Sequence, residues 1–127
     1  MVKITIEANC GNSPKAELIR DMNIAFAEGD SKFILENMAD DIHWELVGDE
    51  VIEGKIAAID ALDKMLDDST EELFIQNVIT HGDTGSINGT MKFDEGMEFG
   101  FCDVYTFTSN AKDAKIKSIT SYIVEIK

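Results

Sequence analysis

Residues 97–108 read MEFGFCDVYTFT, and this stretch decides the fold class. Its odd-numbered positions are apolar or aromatic, with a single carboxylate among them, whereas its even-numbered positions are mixed and mostly small or polar. Alternation with a period of two is typical of a β-strand that buries one face. The stretch therefore predicts a strand whose buried face carries Met97, Phe99, Phe101, Asp103, Tyr105 and Phe107.

Three further strands are predicted around it, at residues 72–81, 84–93 and 115–126. Turn signals at 82–83, 94–96 and 110–113 join the four strands into an antiparallel meander. The dipeptide Asn88-Gly89 is a rival hairpin signal, but a hairpin there would leave strands too short to match their neighbours. Gly89 is therefore interpreted as a bulge or bend within a strand.

Two helices are predicted upstream from their end signals. Ser13 is a suitable cap and Pro14 a suitable first residue for a helix that runs to about Glu28. Gly29 ends this helix, and Asp30 caps a second, shorter helix that is predicted to end near Ala39.

A strand and a third helix are predicted between these helices and the meander. The strand faces Ile42, Trp44 and Leu46 inward, because these apolar residues alternate with His43, Glu45 and Val47. After a turn region at 48–54, apolar residues recur at helical spacing. The predicted inner face of this helix consists of Ile56, Ile59, Leu62, Met65 and Leu66, and Asp67 and Asp68 close it.

Helices followed by a meander predict an α+β fold, in which a curved antiparallel sheet wraps around three helices from the first half of the chain. The 127 residues suit a single domain over 1–127. Residues 1–12 are predicted to add an edge strand or arm, since Val2 to Glu7 alternate between apolar and polar.

Charge and cysteine content limit the classes of partner. Eleven basic and 25 acidic residues give a net charge of −14, which repels nucleic acid and anionic membranes. Cys10 and Cys102 lack the spacing of a metal site or a disulfide framework. We therefore expect a cytoplasmic protein that holds no metal and no cofactor.

Four features, taken together and in order, resemble the nuclear-transport-factor-2-like superfamily, which includes ketosteroid isomerases and polyketide cyclases of the SnoaL type. They are the Gly29-Asp30 break, the run 39–44 (ADDIHW), Gly54 before the third helix, and the run 103–107 (DVYTF). The resemblance covers nearly everything after Asn12. It implies a cone-shaped, cystatin-like barrel with a pocket, and a homodimer formed through the convex face of the sheet.

The resemblance also implies which residues surround the pocket. In ketosteroid isomerases, a carboxylic acid at the position of Asp103 is kept neutral by apolar surroundings and donates a hydrogen bond to an enolate. Asp103 is therefore the candidate catalytic residue, although a hydrogen-bonded, buried aspartate without catalytic duty fits its position equally well. The candidate ligand-binding residues are Met22, Phe26, Trp44, Leu46, Phe99, Phe101, Tyr105, Ile119 and Ile123.

Some residues of this chain depart from the pattern of the family, and these departures argue against two of the reactions known in it. The isomerase base falls on Leu46 and its oxyanion tyrosine falls on Met22, which argues against steroid isomerisation. Limonene-epoxide hydrolases place an arginine between two aspartates on the sheet, whereas the sole arginine here, Arg20, lies on the first helix. His43 and His81 are predicted to lie at the surface.

Three functions remain open. The first is binding of a small, largely apolar molecule, with Asp103 as the polar anchor. The second is a cofactor-independent isomerase, cyclase or lyase-like enzyme, in which Asp103 moves a proton on a carbonyl compound. The third is a non-catalytic dimeric interaction module, whose pocket is filled by its own side chains.

Overall fold

The chain folds into three helices and seven strands within the residues that the computed structural model describes, which are 2–11, 13–65, 70–94, 96–111 and 113–127. In chain order the elements are β1 (Lys3–Ile6), α1 (Pro14–Glu28), α2 (Ser31–Glu36), β2 (Met38–Leu46), β3 (Glu50–Glu53), α3 (Lys55–Met65), β4 (Thr70–His81), β5 (Thr84–Phe93), β6 (Glu98–Phe107) and β7 (Ile116–Ile126). The predicted α+β class is confirmed. No helix in these ranges is long and apolar enough to cross a membrane.

The predicted capping residues set the helix ends. The Ser13 side chain accepts a hydrogen bond from the Ala16 backbone N–H, and Gly29 ends α1 in the left-handed region at φ 76°. The Asp30 side chain accepts from the Phe33 N–H and begins α2. These start and stop signals are confirmed.

The sheet runs in the order β1-β4-β5-β6-β7-β2-β3. The meander β4 to β7 is antiparallel as predicted. The sheet as a whole is mixed, however, because β1 lies parallel to β4 and β2 lies parallel to β7. It is also open, with β1 and β3 at its two edges, so the barrel is not closed. The parallel pairings arise because long connections, which include helices, separate the paired strands.

Two boundaries in the first half, and part of the predicted inner face of α3, were wrong. Helix α2 ends at Glu36, because Met38 already begins β2. The region 48–54 contains β3, which forms a hairpin with β2. Helix α3 buries Ala58 and Leu62, whereas Ile56 is 85% exposed and Ile59 is 43% exposed. Because the alanine side chain is small, Ala58 lets α3 approach the core closely. A prediction based on large apolar residues does not detect such a contact. Leu66, Asp67 and Asp68 lie outside the described residues.

Gly89 lies inside β5, at an irregularity in the pairing of β4 with β5, as predicted. Ile75 pairs with Gly89 and Asn77 pairs with Asn88, which leaves Gln76 on β4 as the extra residue of the bulge. A Cβ atom on Gly89 would lie 1.9 Å from the Phe74 carbonyl oxygen. Only glycine fits where the two backbones approach so closely.

Candidate functional site

Strand β6 carries the centre of the site. Phe101, Asp103, Tyr105 and Phe107 are buried, and the residues between them are half-buried. The predicted alternation is confirmed from Phe101 to Phe107, but Phe99 is only half-buried, and Met97 precedes β6 and is 44% exposed because it lies in the turn before the strand. Asp103 faces the helices. Residues of α1, β2 and β7 approach it from three sides. The carboxylate therefore lies between the sheet and the first helix.

A cavity of about 260 Å³ lies beside Asp103. Six of the predicted site residues line it, namely Phe26, Trp44, Leu46, Phe101, Asp103 and Ile123. The Phe26 and Trp44 rings contact each other, with their centroids 5.6 Å apart. Met65, Met91 and Phe93 add to the apolar wall.

Four predicted site residues do not line this cavity. Met22, Tyr105 and Ile119 are buried in the core around it. Phe99 packs edge-on against Phe93, with a centroid distance of 5.6 Å. These four residues support the wall from behind or beside it.

Three polar residues that the sequence analysis missed, Asn23, Thr70 and Ser121, also line the cavity. Asn23 and Ser121 each interrupt an apolar pattern. Asn23 lies between Ile19 and Phe26 on the buried face of α1, at helical spacing. Ser121 lies between Ile119 and Ile123 on one face of β7. A lone polar residue in a buried stripe is the signal that would have identified these two residues.

Ser121 lies between Trp44 and Asp103. The Trp44 indole nitrogen, which only donates, gives its hydrogen to Ser121 Oγ at 3.2 Å. Ser121 pairs with Asp103 across the sheet, and its side chain lowers the pKa of the carboxyl group. Because Ser121 accepts from Trp44, its own hydrogen is available for Asp103.

Asn23 is fixed by two hydrogen bonds on the opposite side. Its Nδ2 donates to the Ile19 carbonyl oxygen at 3.0 Å and to the Tyr105 hydroxyl at 3.1 Å. Since a carbonyl only accepts, the bond to Ile19 fixes which end of the amide is the nitrogen. Both Nδ2 hydrogens are then engaged, and Oδ1 remains as an acceptor.

Burial raises the pKa values of two residues of the site, Asp103 and Tyr105. Desolvation raises the pKa of Asp103 to about 6, and the hydrogen bond from Ser121 partly opposes this rise. Burial raises the pKa of Tyr105 well above its usual value, with a further contribution from the nearby Asp103 charge. Asp103 thus changes its charge near neutral pH, while Tyr105 stays neutral. A carboxyl group with this pKa is able to accept or donate a proton under physiological conditions.

The sequence of residues 19–119 matches the model of the SnoaL-like domain. This match spans most of the chain. The chain belongs to the SnoaL-like domain family. No curated protein sequence matches the chain.

Solved structures share the fold of this SnoaL-like domain. A nuclear-transport-factor-2-like protein of unknown function from Cytophaga hutchinsonii is 29% identical, with a TM-score of 0.67 over 86% of this chain and 98% of that one. The epoxide hydrolase/cyclase-like enzyme SalBIII, which acts in pyran ring formation in the polyether salinomycin, is 17% identical, with a TM-score of 0.73 over 89% and 93%. An LEH-like epoxide hydrolase of M. tuberculosis is 18% identical, with a TM-score of 0.72 over 87% and 83%. Similarity at this level shows the fold and leaves the reaction open.

The remaining candidate groups of the SnoaL-like domain lie away from the cavity. His43 is exposed and hydrogen-bonds to Glu53 on the neighbouring strand, and His81 is exposed at the end of β4. Arg20 pairs with Asp21 on α1. Within the described residues, no group of three His, Cys, Asp or Glu side chains is arranged to hold a metal ion.

Proposed function

We propose that this SnoaL-like domain binds a small, largely apolar molecule in the cavity beside Asp103. The observation that carries the proposal is an apolar, partly aromatic cavity with a buried carboxyl group in its wall. Ligand sites in proteins combine these two features, because apolar walls supply affinity and a few polar groups fix orientation. Asp103 is the polar anchor, and Trp44 and Phe101 form part of the wall.

The size of the cavity limits the ligand. A volume of about 260 Å³ corresponds to roughly nine water molecules, at about 30 Å³ each in the liquid. It is smaller than the roughly 300–1,000 Å³ of sites that hold drug-sized molecules. The part of a ligand that this cavity encloses is therefore expected to have roughly a dozen non-hydrogen atoms or fewer.

Fluorescence of Trp44, the sole tryptophan, is expected to change saturably when small cyclic alcohols, amines and carbonyl compounds are titrated into the protein. Trp44 lines the cavity, so a bound molecule alters its surroundings directly. The Ile123→Phe variant is expected to weaken binding at least about tenfold, because the larger ring occupies cavity space.

Ile59→Phe is the matched control for this titration. Ile59 on α3 is 43% exposed and Ile123 is 51% exposed, but only Ile123 lines the cavity. The control is expected to bind like the unchanged protein. Equal weakening in both variants, or no saturable change with any compound, would contradict the proposed binding site.

A catalytic role is the second candidate, and the pKa of Asp103 favours it. A carboxyl group with a pKa of about 6 is suited to move a proton next to a carbonyl group near neutral pH. The same panel, analysed for conversion by chromatography, separates the two functions. Turnover that is lost in Asp103→Asn supports catalysis, whereas binding without turnover supports a binding protein. An interaction module with a filled pocket is less well supported, because a cavity remains beside Asp103.

The convex face of the sheet is proposed to bind a second copy of the chain. Ile79 on β4 and Tyr122 and Val124 on β7 are exposed apolar residues on this face. They flank a groove of about 540 Å³, which also includes the small residues Gly100 and Cys102 of β6. Apolar flanks beside a groove suit a two-fold interface, in which each copy contributes the same surface.

Ile79→Glu is expected to raise the dissociation constant of the dimer at least about tenfold, because it places a desolvated charge in the interface. Ile56→Glu on α3 is the matched control and is expected to leave the dimer intact. Ile79 is 64% exposed and Ile56 is 85% exposed in the single chain. Analytical ultracentrifugation measures both variants. A monomeric unchanged protein at high concentration would contradict the proposed interface.

We also propose a cytoplasmic location. Cys10 and Cys102 are both free thiols. Free thiols persist in reducing compartments, which supports this location.

A further inference from the structure

Two donors near Asp103 already have acceptors. Trp44 donates to Ser121, and both Nδ2 hydrogens of Asn23 are directed to Ile19 and Tyr105. Asp103 and Asn23 both line the cavity, and their carboxyl oxygens and Oδ1 remain as acceptors.

Thr70, another hydroxyl that lines the cavity, lies at the far end. It pairs with Phe93 on β5, whereas Asp103 pairs with Ile87 on the same strand. Six residues of strand separate these positions, which is about 20 Å. The carboxyl oxygens of Asp103 and Oδ1 of Asn23 are therefore the acceptors at this end of the cavity.

The negative charge of Asp103 also lacks a basic partner. Among the described residues that line the cavity there is no Lys, Arg or His. Four aromatic rings, those of Phe26, Trp44, Phe93 and Phe101, line the same space. Aromatic faces attract cations, and most strongly where water is excluded. An ionised buried carboxylate is costly unless an opposite charge approaches it.

We propose that the ligand is a small organic ammonium ion with an apolar body, whose charged nitrogen binds between Asp103 and Asn23. The proposal rests on the proposed binding function and names the chemical class of its ligand. The ammonium N–H groups donate to the Asp103 carboxylate and to Asn23 Oδ1. The apolar body lies among the aromatic rings. A ligand whose only polar group is a carbonyl brings no positive charge to offset an ionised Asp103.

Binding of the ammonium ion is expected to depend on pH through Asp103. The groups that face Asp103 are Tyr105 on its own strand, Asn23 from α1, Trp44 from β2 and Ser121 from β7. Tyr105 is the only other titratable group among them, and its raised pKa keeps it neutral. Cys102 projects from the opposite face of β6, and burial raises its pKa as well. Among these groups, Asp103 is thus the one whose charge changes between pH 5 and pH 7.5.

The test compares three molecules with the same ring and nearly the same size, which are cyclohexylmethylamine, cyclohexylmethanol and cyclohexanecarbaldehyde. Each is titrated into the full chain while Trp44 fluorescence is followed, and calorimetry provides a second readout. At pH 7.5 the amine is expected to bind at least about tenfold more tightly than the alcohol or the aldehyde, because a hydrogen bond between charged groups is stronger than one to a neutral group.

Two further measurements assign the preference to Asp103. The affinity of the unchanged protein for the amine is expected to fall about tenfold from pH 7.5 to pH 5, as Asp103 becomes protonated while an alkyl ammonium stays charged. Asp103→Asn is expected to lower the affinity for the amine at least about tenfold at pH 7.5 and to change the affinity for the alcohol by less than about twofold.

The outcomes separate this inference from the proposed function. Equal or tighter binding of the aldehyde or the alcohol overturns the ammonium ligand and leaves the binding function standing. An amine preference that persists in Asp103→Asn also overturns it, because the preference then arises elsewhere, for example from the net negative charge of the protein. If none of the three compounds binds, the proposed binding of molecules of this size is itself overturned.

Discussion

Gly89→Ala is expected to lower the free energy of unfolding by about 3 kcal/mol or more, since overpacking costs most where the obstacle is backbone. The new Cβ would lie 1.9 Å from the Phe74 carbonyl oxygen and 3.2 Å from the Ile75 Cα. These atoms belong to β4, which is paired on both sides, with β1 and with β5. Relief of the clash therefore requires β4 and β5 to separate. Urea denaturation followed by circular dichroism measures the loss.

Gly100→Ala is the matched control on the adjacent strand. A Cβ there would lie 3.8 Å from Ile126 Cδ1, which is an ordinary contact. Because alanine restricts the unfolded chain more than glycine does, this variant is expected to be neutral or to gain up to about 1 kcal/mol. Similar losses in both variants would show that the close approach of β4 and β5 at the bulge is not present in solution.

Asp103→Asn is expected to gain stability relative to the unchanged protein as pH rises. The pKa of Asp103 is raised from 3.8 in the unfolded chain to about 6 in the folded protein. Between these values the folded protein binds more protons than the unfolded chain, so stability falls as pH rises, and the full cost is present above about pH 6. A difference of about two pKa units corresponds to about 3 kcal/mol. Asparagine is neutral throughout and does not incur this cost.

The free energies of unfolding of Asp103→Asn and of the unchanged protein are measured at pH 4 and at pH 8. The difference between the two proteins at pH 4 is then compared with their difference at pH 8. All other titrating groups are shared by the two proteins, so their contributions largely cancel. Most of the roughly 3 kcal/mol is expected to appear as a shift of this difference in favour of Asp103→Asn. A difference that stays constant with pH would mean that Asp103 is solvated in the folded protein and not desolvated beside the cavity.

Regular periodicity predicted the second half of the fold well. The meander and the inward face of β6 follow from unbroken alternation between apolar and other residues, because each strand has one buried face. Gly29 and Ser13 likewise acted locally, as a helix stop and a cap. Where neighbouring residues alone determine a helix or strand, the sequence is sufficient to predict it.

Pairings between distant parts of the chain were less predictable. In β2 the register to β7 shifts between Met38 and His43, so Asp40 and Asp41 are both exposed and the alternation is interrupted. That interruption hides the start of the strand. The parallel neighbours of β2 and β1 depend on where the chain returns after its helices, which no local pattern records.

For the candidate site, aromatic and aliphatic wall residues were predictable, whereas the polar groups were only partly so. Asp103 is conspicuous because it is a charge on an apolar face. Asn23 and Ser121 supply further polar groups to the cavity wall, but their hydrogen bonds depend on partners 82 and 77 residues away in the chain. The polar end of the cavity is therefore a product of tertiary structure.

The parallel pairing of β2 with β7 has a consequence for synthesis on the ribosome. Trp44 is translated early, but its hydrogen-bond partner Ser121 follows 77 residues later. Until β7 emerges from the exit tunnel, β2 lacks a neighbour on one side and the indole N–H lacks its acceptor. The cavity cannot assemble progressively with the growing chain. A nascent chain that is arrested before β7 would thus present an incomplete wall, and the proposed binding of a ligand would distinguish chains that include β7 from chains that lack it.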